Sequence, residues 1–134
     1  FCNISTFAVL CAPNGSPSDT AVYGYLYNWY AVDDTRGLCP AGWEVPSLFD
    51  WQSVIDYPAD ELWNTGTNST EFSALTAGYR DLSGYNGFGS SGVWWSSEEN
   101  SFDPTSSYAF SITGTAVTIA PRNKHEGVSV RCIK

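Results

Sequence analysis

Two adjacent tryptophans set the first constraint on this chain. They stand in Gly92-Val93-Trp94-Trp95-Ser96-Ser97, ahead of the polar Glu98, Glu99, Asn100 and Asp103. Side chains along a strand point alternately to opposite faces, so a strand through this stretch needs apolar cover on both sides. Each indole buries roughly 150–250 Å². The stretch reads as a central strand with Trp94 and Trp95 as core anchors, and the residues after Ser97 read as a polar loop.

The remaining segments supply the cover. Residues 1–20 form an arm and linker: an alternating run at 4–10 between Cys2 and Cys11, then the turn-rich Pro13-Asn14-Gly15-Ser16-Pro17-Ser18-Asp19. Aromatics at Tyr23, Tyr25, Tyr27 and Trp29 recur with period 2, predicting a strand across 22–32. After Pro46, Ser47 and Asp50 have capping-box spacing, and Leu48, Trp51, Val54 and Ile55 share a helical face. A second short helical turn is expected at 60–63. Residues 72–92 are glycine-rich and predict a long excursion held by its own aromatic residues. A hairpin around Thr113-Gly114-Thr115 and a last strand at 127–133 complete an α+β class with antiparallel strands, one main helix, a long glycine-rich loop and an N-terminal arm.

Composition narrows the partners. The 14 acidic and 6 basic side chains give a formal charge of −8, which opposes binding to nucleic acid or anionic lipid. No stretch approaches the roughly 20 apolar residues of a membrane span. With 134 residues, 16% aromatic and 15% charged, the chain reads as one ordered domain. A start at Phe1 with no methionine anywhere in the sequence predicts a mature form released from an export signal. Four cysteines, Cys2, Cys11, Cys39 and Cys132, allow three pairings. Cys2–Cys11 and Cys39–Cys132 is the natural one, and disulfides place the chain outside the cell or on its surface. Asn3, Asn14 and Asn68 open Asn-x-Ser/Thr triplets, the pattern of a glycan acceptor.

Five segments in order resemble a known family: Tyr23-Gly24-Tyr25-Leu26-Tyr27-Asn28-Trp29-Tyr30-Ala31-Val32; Leu38-Cys39-Pro40-Ala41-Gly42-Trp43-Glu44-Val45-Pro46-Ser47; Phe72-Ser73-Ala74-Leu75 with Gly78-Tyr79-Arg80-Asp81; Trp94-Trp95-Ser96-Ser97; and Val128-Ser129-Val130-Arg131-Cys132. They follow the motifs of the Fibrobacter succinogenes major paralogous domain, found in secreted and surface proteins of bacteria. The resemblance spans 21–134 and implies a C-type lectin-like fold whose first and last strands pair, with a helix on one side and a long inserted loop. Residues 1–20 depart from the family pattern, and Glu44 stands where a histidine is common. Trp43, Val45-Pro46-Ser47, Trp51 and Ser129-Val130-Arg131-Cys132 are also similar to segments of formylglycine-generating enzymes. Those enzymes use a reactive cysteine pair near the C-terminus, whereas Cys132 stands alone there, so their activity is not carried over.

For chemistry, the one histidine, His125, lies in a polar turn, and no nucleophile–base order can be defended. No cofactor is expected. Zinc lacks ligands, and Glu98, Asn100 and Asp103 offer three oxygen donors that a calcium ion would need. Trp63, Tyr79, Tyr85 and Phe88 are candidate ligand-stacking rings. Ile4, Phe7, Val9 and Leu10 form a candidate assembly arm, able to add a strand to a neighbour. The reading is a secreted, non-enzymatic structural or adhesive surface protein that self-assembles into filaments through residues 1–20. The alternative is a monomeric module binding a glycan or a surface protein.

Overall fold

A computed structural model describes residues 6–134. In chain order its elements are β1 (Leu10–Cys11), α1 (Thr20–Tyr23), β2 (Leu26–Tyr27), α2 (Trp29–Val32), α3 (Leu48–Gln52), α4 (Ala59–Leu62), β3 (Tyr79–Asp81), β4 (Gly84–Asn86), β5 (Ser91–Glu99), β6 (Ser106–Thr113), β7 (Ala116–Asn123) and β8 (Val128–Ser129). Six strands make one sheet in the order β1-β2-β8-β5-β6-β7, and β3 with β4 forms a separate hairpin. The named strands pair antiparallel except for the short parallel contact of β5 with β8, where Trp94 stands opposite Ser129. The class is mixed α+β, mostly sheet with a few short helices.

The tryptophan pair sits in β5, flanked by β8 and β6, and divides the core between the two faces of the sheet. Trp94 joins Trp51, Leu62, Phe110 and Ile112 on one face, whereas Trp95 joins Trp29, Val93, Ala109 and Val128 on the other. Trp51 stacks flat on Phe110 at 4.6 Å between ring centres, and Phe72 meets Trp51, Trp94 and Phe110 edge-on. Buried indole N–H groups need acceptors, and those of Trp95, Trp29 and Trp51 find ones that also tie elements together. Trp95 Nε1 donates to Tyr27 O at 2.7 Å, Trp29 Nε1 to Ser96 O at 3.0 Å and Trp51 Nε1 to Trp95 O at 3.2 Å.

The helix after Pro46 begins where the sequence places it. Ser47 Oγ accepts from Asp50 N at 3.2 Å, and Asp50 Oδ2 accepts from Ser47 N at 2.8 Å. It stops after five residues, short of the stripe that includes Val54 and Ile55. Ser53 explains the stop: its N–H is shared between Phe49 O and Asp50 O, the next turns bond three residues back, and its hydroxyl donates to Asp50 O. Such sharing marks an α-helix tightening into a 3-10 turn. Replacing Ser47 with alanine is expected to lower stability by about 1 kcal/mol, seen as an earlier urea midpoint with an unchanged slope. An unmoved midpoint would mean that Glu98, whose Oε2 accepts from Leu48 N at 3.1 Å, holds the helix start unaided.

Three other expectations shrink. The strand expected across 22–32 is reduced to the two residues of β2, between α1 and α2. Gly24 adopts φ 74° and ψ −155°, and the Asn28 side chain caps α2 by accepting from Ala31 N. The last strand keeps only Val128–Ser129, followed by a bridge in which Glu44 and Ile133 exchange two 2.8 Å bonds. Within 72–92, expected as an irregular excursion, β3 and β4 form a hairpin. Its turn is held by Asp81 Oδ1, which accepts from Ser83 N, Ser83 Oγ and Gly84 N. Gly78 enters that hairpin at φ 66°, where a Cβ would lie 2.4 Å from Asn86 O, so only glycine fits.

The described part of the arm lies in its own sheet. Leu10 and Cys11 pair with Tyr27 and Leu26. Asn28 anchors the residues before them, with Oδ1 accepting from Val9 N and Nδ2 donating to Phe7 O. The expected strand at 4–10 is represented, within the described residues, by Leu10 at the start of β1. Cys39 and Cys132 are joined, closing 93 residues. The Cys2–Cys11 pairing lies outside the described residues.

Candidate functional site

The four candidate ligand-stacking rings each contact another part of the protein. Trp63 Nε1 donates to Gly114 O at 3.0 Å and its ring packs on the core. Tyr79 lies under the guanidinium of Arg122 at 4.0 Å. Tyr85 faces Arg80 at 5.6 Å and lies against Gly15, while Phe88 meets Tyr23 edge-on at 5.1 Å. Rings used this way hold the hairpin of β3 and β4 to the body.

The three oxygen donors are each committed locally. Glu98 receives Leu48 N, and Asn100 Oδ1 receives Phe102 N while its Nδ2 donates to Ser106 Oγ. Asp103 Oδ1 accepts from Thr105 Oγ1 and N, and that hydroxyl above all holds its carboxyl below the usual carboxylate range. Among the described residues, no group of three or more His, Cys, Asp and Glu side chains could hold a metal ion. Of the glycan-acceptor residues, Asn14 is exposed. Asn68 donates through Nδ2 to Ser73 Oγ and accepts from Ser73 N, both at 2.9 Å, and Asn3 lies outside the described residues. So does Ile4 of the arm. Phe7 is 80% and Leu10 45% exposed, and Val9 is half-buried.

A site emerges around a residue that the sequence reading used only as a motif letter. Arg131 follows β8 and precedes Cys132, so its backbone is fixed by the β2–β8 pairing on one side and by the bridge to Cys39 and the Glu44–Ile133 contact on the other. Its guanidinium lies over the Phe72 ring at 4.3 Å, an attraction of about 0.5–2 kcal/mol. Half-burial pushes its pKa below the ordinary arginine value, although a group that basic stays charged at neutral pH. Among the described residues the ion pairs are Arg36–Asp34, Arg122–Glu126 and Lys124–Glu99. Arg80 donates to Asp81 O, and Lys134 lies near the Trp43 ring. Among the described residues, the Arg131 guanidinium has neither an acid nor a hydrogen-bond acceptor.

Arg131 lines a cavity of about 270 Å³ together with Tyr23, Tyr25, Tyr27, Ser73, Leu75 and Ser129. Tyr25 and Tyr27 meet edge-to-face at 6.5 Å. Burial first, and the neighbouring Tyr25 second, raise the Tyr27 phenol's pKa. The cleft therefore combines a fixed cation, phenolic rings and a serine hydroxyl, a set suited to holding a polar ligand by shape, stacking and charge.

The sequence reading also missed Lys124, which is 5% exposed, reaches Glu99 and lies over the Trp29 ring at 4.7 Å. Nothing in a polar run such as Arg122-Asn123-Lys124-His125-Glu126 marks one cation as buried. Arg131 did leave a signal, as the single charge within Val128-Ser129-Val130-Arg131-Cys132-Ile133. His125 lies in the turn after β7, with its ring 5.4 Å from that of Tyr30.

No curated protein and no solved structure matches the chain. The family comparison takes in the first two aromatic and cysteine-containing motifs and also the arm from residue 4, which the sequence reading had set outside the family pattern. Residues 4–61, a little under half of the chain, match the model of the Fibrobacter succinogenes major domain.

Proposed function

We propose that this protein is an extracellular, non-enzymatic, C-type lectin-like binding module, and that the Arg131 cleft is where it takes its ligand. The observation that carries the reading is a half-buried guanidinium, stacked on Phe72 and lining an aromatic cavity, with no acid to neutralise it among the described residues. A charge withdrawn from water costs free energy unless something compensates it, and an arriving ligand can. The pairing of β2 with β8 and the helix α3 beside the sheet accord with the lectin-like arrangement. The Cys39–Cys132 bridge accords with an oxidising compartment.

The test is a panel of immobilised glycans probed with labelled protein, wild type beside Arg131→Gln. Saturable binding to a subset of glycans is expected, weakened at least tenfold in the variant. If no member of the panel retains wild-type protein, the module reading fails.

A second reading, self-association, is favoured by the exposed Phe7 and Leu10 beside the edge strand β1. Sedimentation velocity over a concentration series would show larger species that disperse with Phe7→Ser and Leu10→Ser together. A single monomeric boundary at every concentration would remove it.

A further inference from the structure

We propose that the Arg131 cleft selects one sugar ring carrying a carboxylate, of the hexuronic acid type; the inference rests on the binding-module reading above and specifies its ligand. Arginine presents a planar fork of donors that matches a carboxylate through two parallel bonds. Here none of those donors is spent on another of the described residues, and one face of the fork is already stacked on Phe72 at 4.3 Å. That stacking leaves the edge of the guanidinium for a ligand.

The rest of the wall fits a sugar better than a bare anion. Tyr23 and Tyr25 offer phenolic rings, and Ser129, 7% exposed, adds a hydroxyl residue to the lining. Pyranose rings are held by such a mixture of apolar faces and hydroxyls. A phosphate or sulfate would call for a second cation, and Arg131 is the one cation among the described residues that line this cavity.

Size and charge limit the ligand further. About 270 Å³ is near the lower end for ligand pockets, room for one ring rather than a polymer segment. The net charge of −8 repels polyanions at long range, so the preferred ligand carries its carboxylate singly, at a chain end or in a sparsely charged glycan. A monosaccharide with so few atoms binds with a Kd on the order of 1 mM.

The experiment is an NMR titration of the wild-type protein with methyl galacturonoside, with its carboxyl methyl ester, with methyl galactoside, and with an N-acetylated dipeptide ending in a free carboxylate. Expected is saturation by the acid near 1 mM and at least tenfold weaker binding of the ester, the galactoside and the dipeptide. Arg131→Gln should remove the preference for the acid, while Arg131→Lys, with the charge but not the fork, should keep part of it. The ester comparison needs no variant, so the test survives if Arg131→Gln fails to fold. Equal binding of acid and ester would overturn the inference while leaving a module that binds sugars. Equal binding of dipeptide and sugar acid would overturn the sugar assignment. No binding of any of the four ligands overturns the inference, and the glycan panel then decides separately whether the module reading falls as well.

Discussion

Breaking the Cys39–Cys132 bridge with Cys39→Ser and Cys132→Ser together is expected to lower the stability of the domain by about 4–5 kcal/mol. The bridge closes 93 residues, and loop-closure entropy in the unfolded chain gives that magnitude for a loop of this length. For a domain of this size the melting temperature should fall by roughly 15–20 °C. A local effect follows as well. The bridge sits one residue after Arg131 and beside the Glu44–Ile133 contact, so its loss frees the segment that positions the guanidinium. Ligand binding should weaken even at temperatures where the variant stays folded. Calorimetry of the wild type beside the double serine variant checks the first part. A drop under about 5 °C would mean that the variant's unfolded state keeps enough structure to offset the closure entropy.

Trp95→Ala is expected to cost about 3–5 kcal/mol, the range for emptying a buried aromatic site. The residue is fully buried among Trp29, Val93, Ala109 and Val128. Its indole N–H is also the 2.7 Å link from β5 to Tyr27 O, across the position where β8 is only two residues long. Removing it leaves a cavity and an unsatisfied carbonyl in the same place. Since such domains are stable by only about 5–15 kcal/mol, this loss is a large fraction of the whole. Trp95→Phe separates the two contributions: it keeps most of the ring and loses the hydrogen bond, for about 1–3 kcal/mol. Urea unfolding of both variants is the measurement. Equal costs for the alanine and phenylalanine variants would show that the hydrogen bond, not the packing, dominates.

What could be read from the sequence follows from how local each signal is. Trp94-Trp95 demanded cover on two faces whatever the partners were, and Ser47 with Asp50 fixed a helix start within four residues. The hairpin at Thr113-Gly114-Thr115 was visible because its strands alternate and its turn contains glycine, although the pattern marks only 107–113 and 116–120, whereas β6 and β7 reach Ser106 and Asn123. Tyr23, Tyr25, Tyr27 and Trp29 misled, because a period of two in aromatics does not oblige the chain to be extended. Gly24 and the capping side chain of Asn28 turned it on either side of β2. Residues 79–86 hid a hairpin because glycine and asparagine are poor strand formers and the pairing depends on the Asp81 turn. The cleft was the least legible part. It joins residues 23–27, 73–75 and 129–131, and no local pattern announces that these will meet. Arg131 stood out only as a charge among apolar neighbours.

The most direct test of the binding claim is the arginine side-chain NMR spectrum of the protein as methyl galacturonoside is added. The chain has four arginines, Arg36, Arg80, Arg122 and Arg131, and single substitutions assign their Nε–H signals. The account predicts that the Arg131 signal moves and saturates while those of Arg36 and Arg122, already paired with Asp34 and Glu126, stay in place. An Arg131 signal that does not move at ligand concentrations well above 1 mM would contradict it.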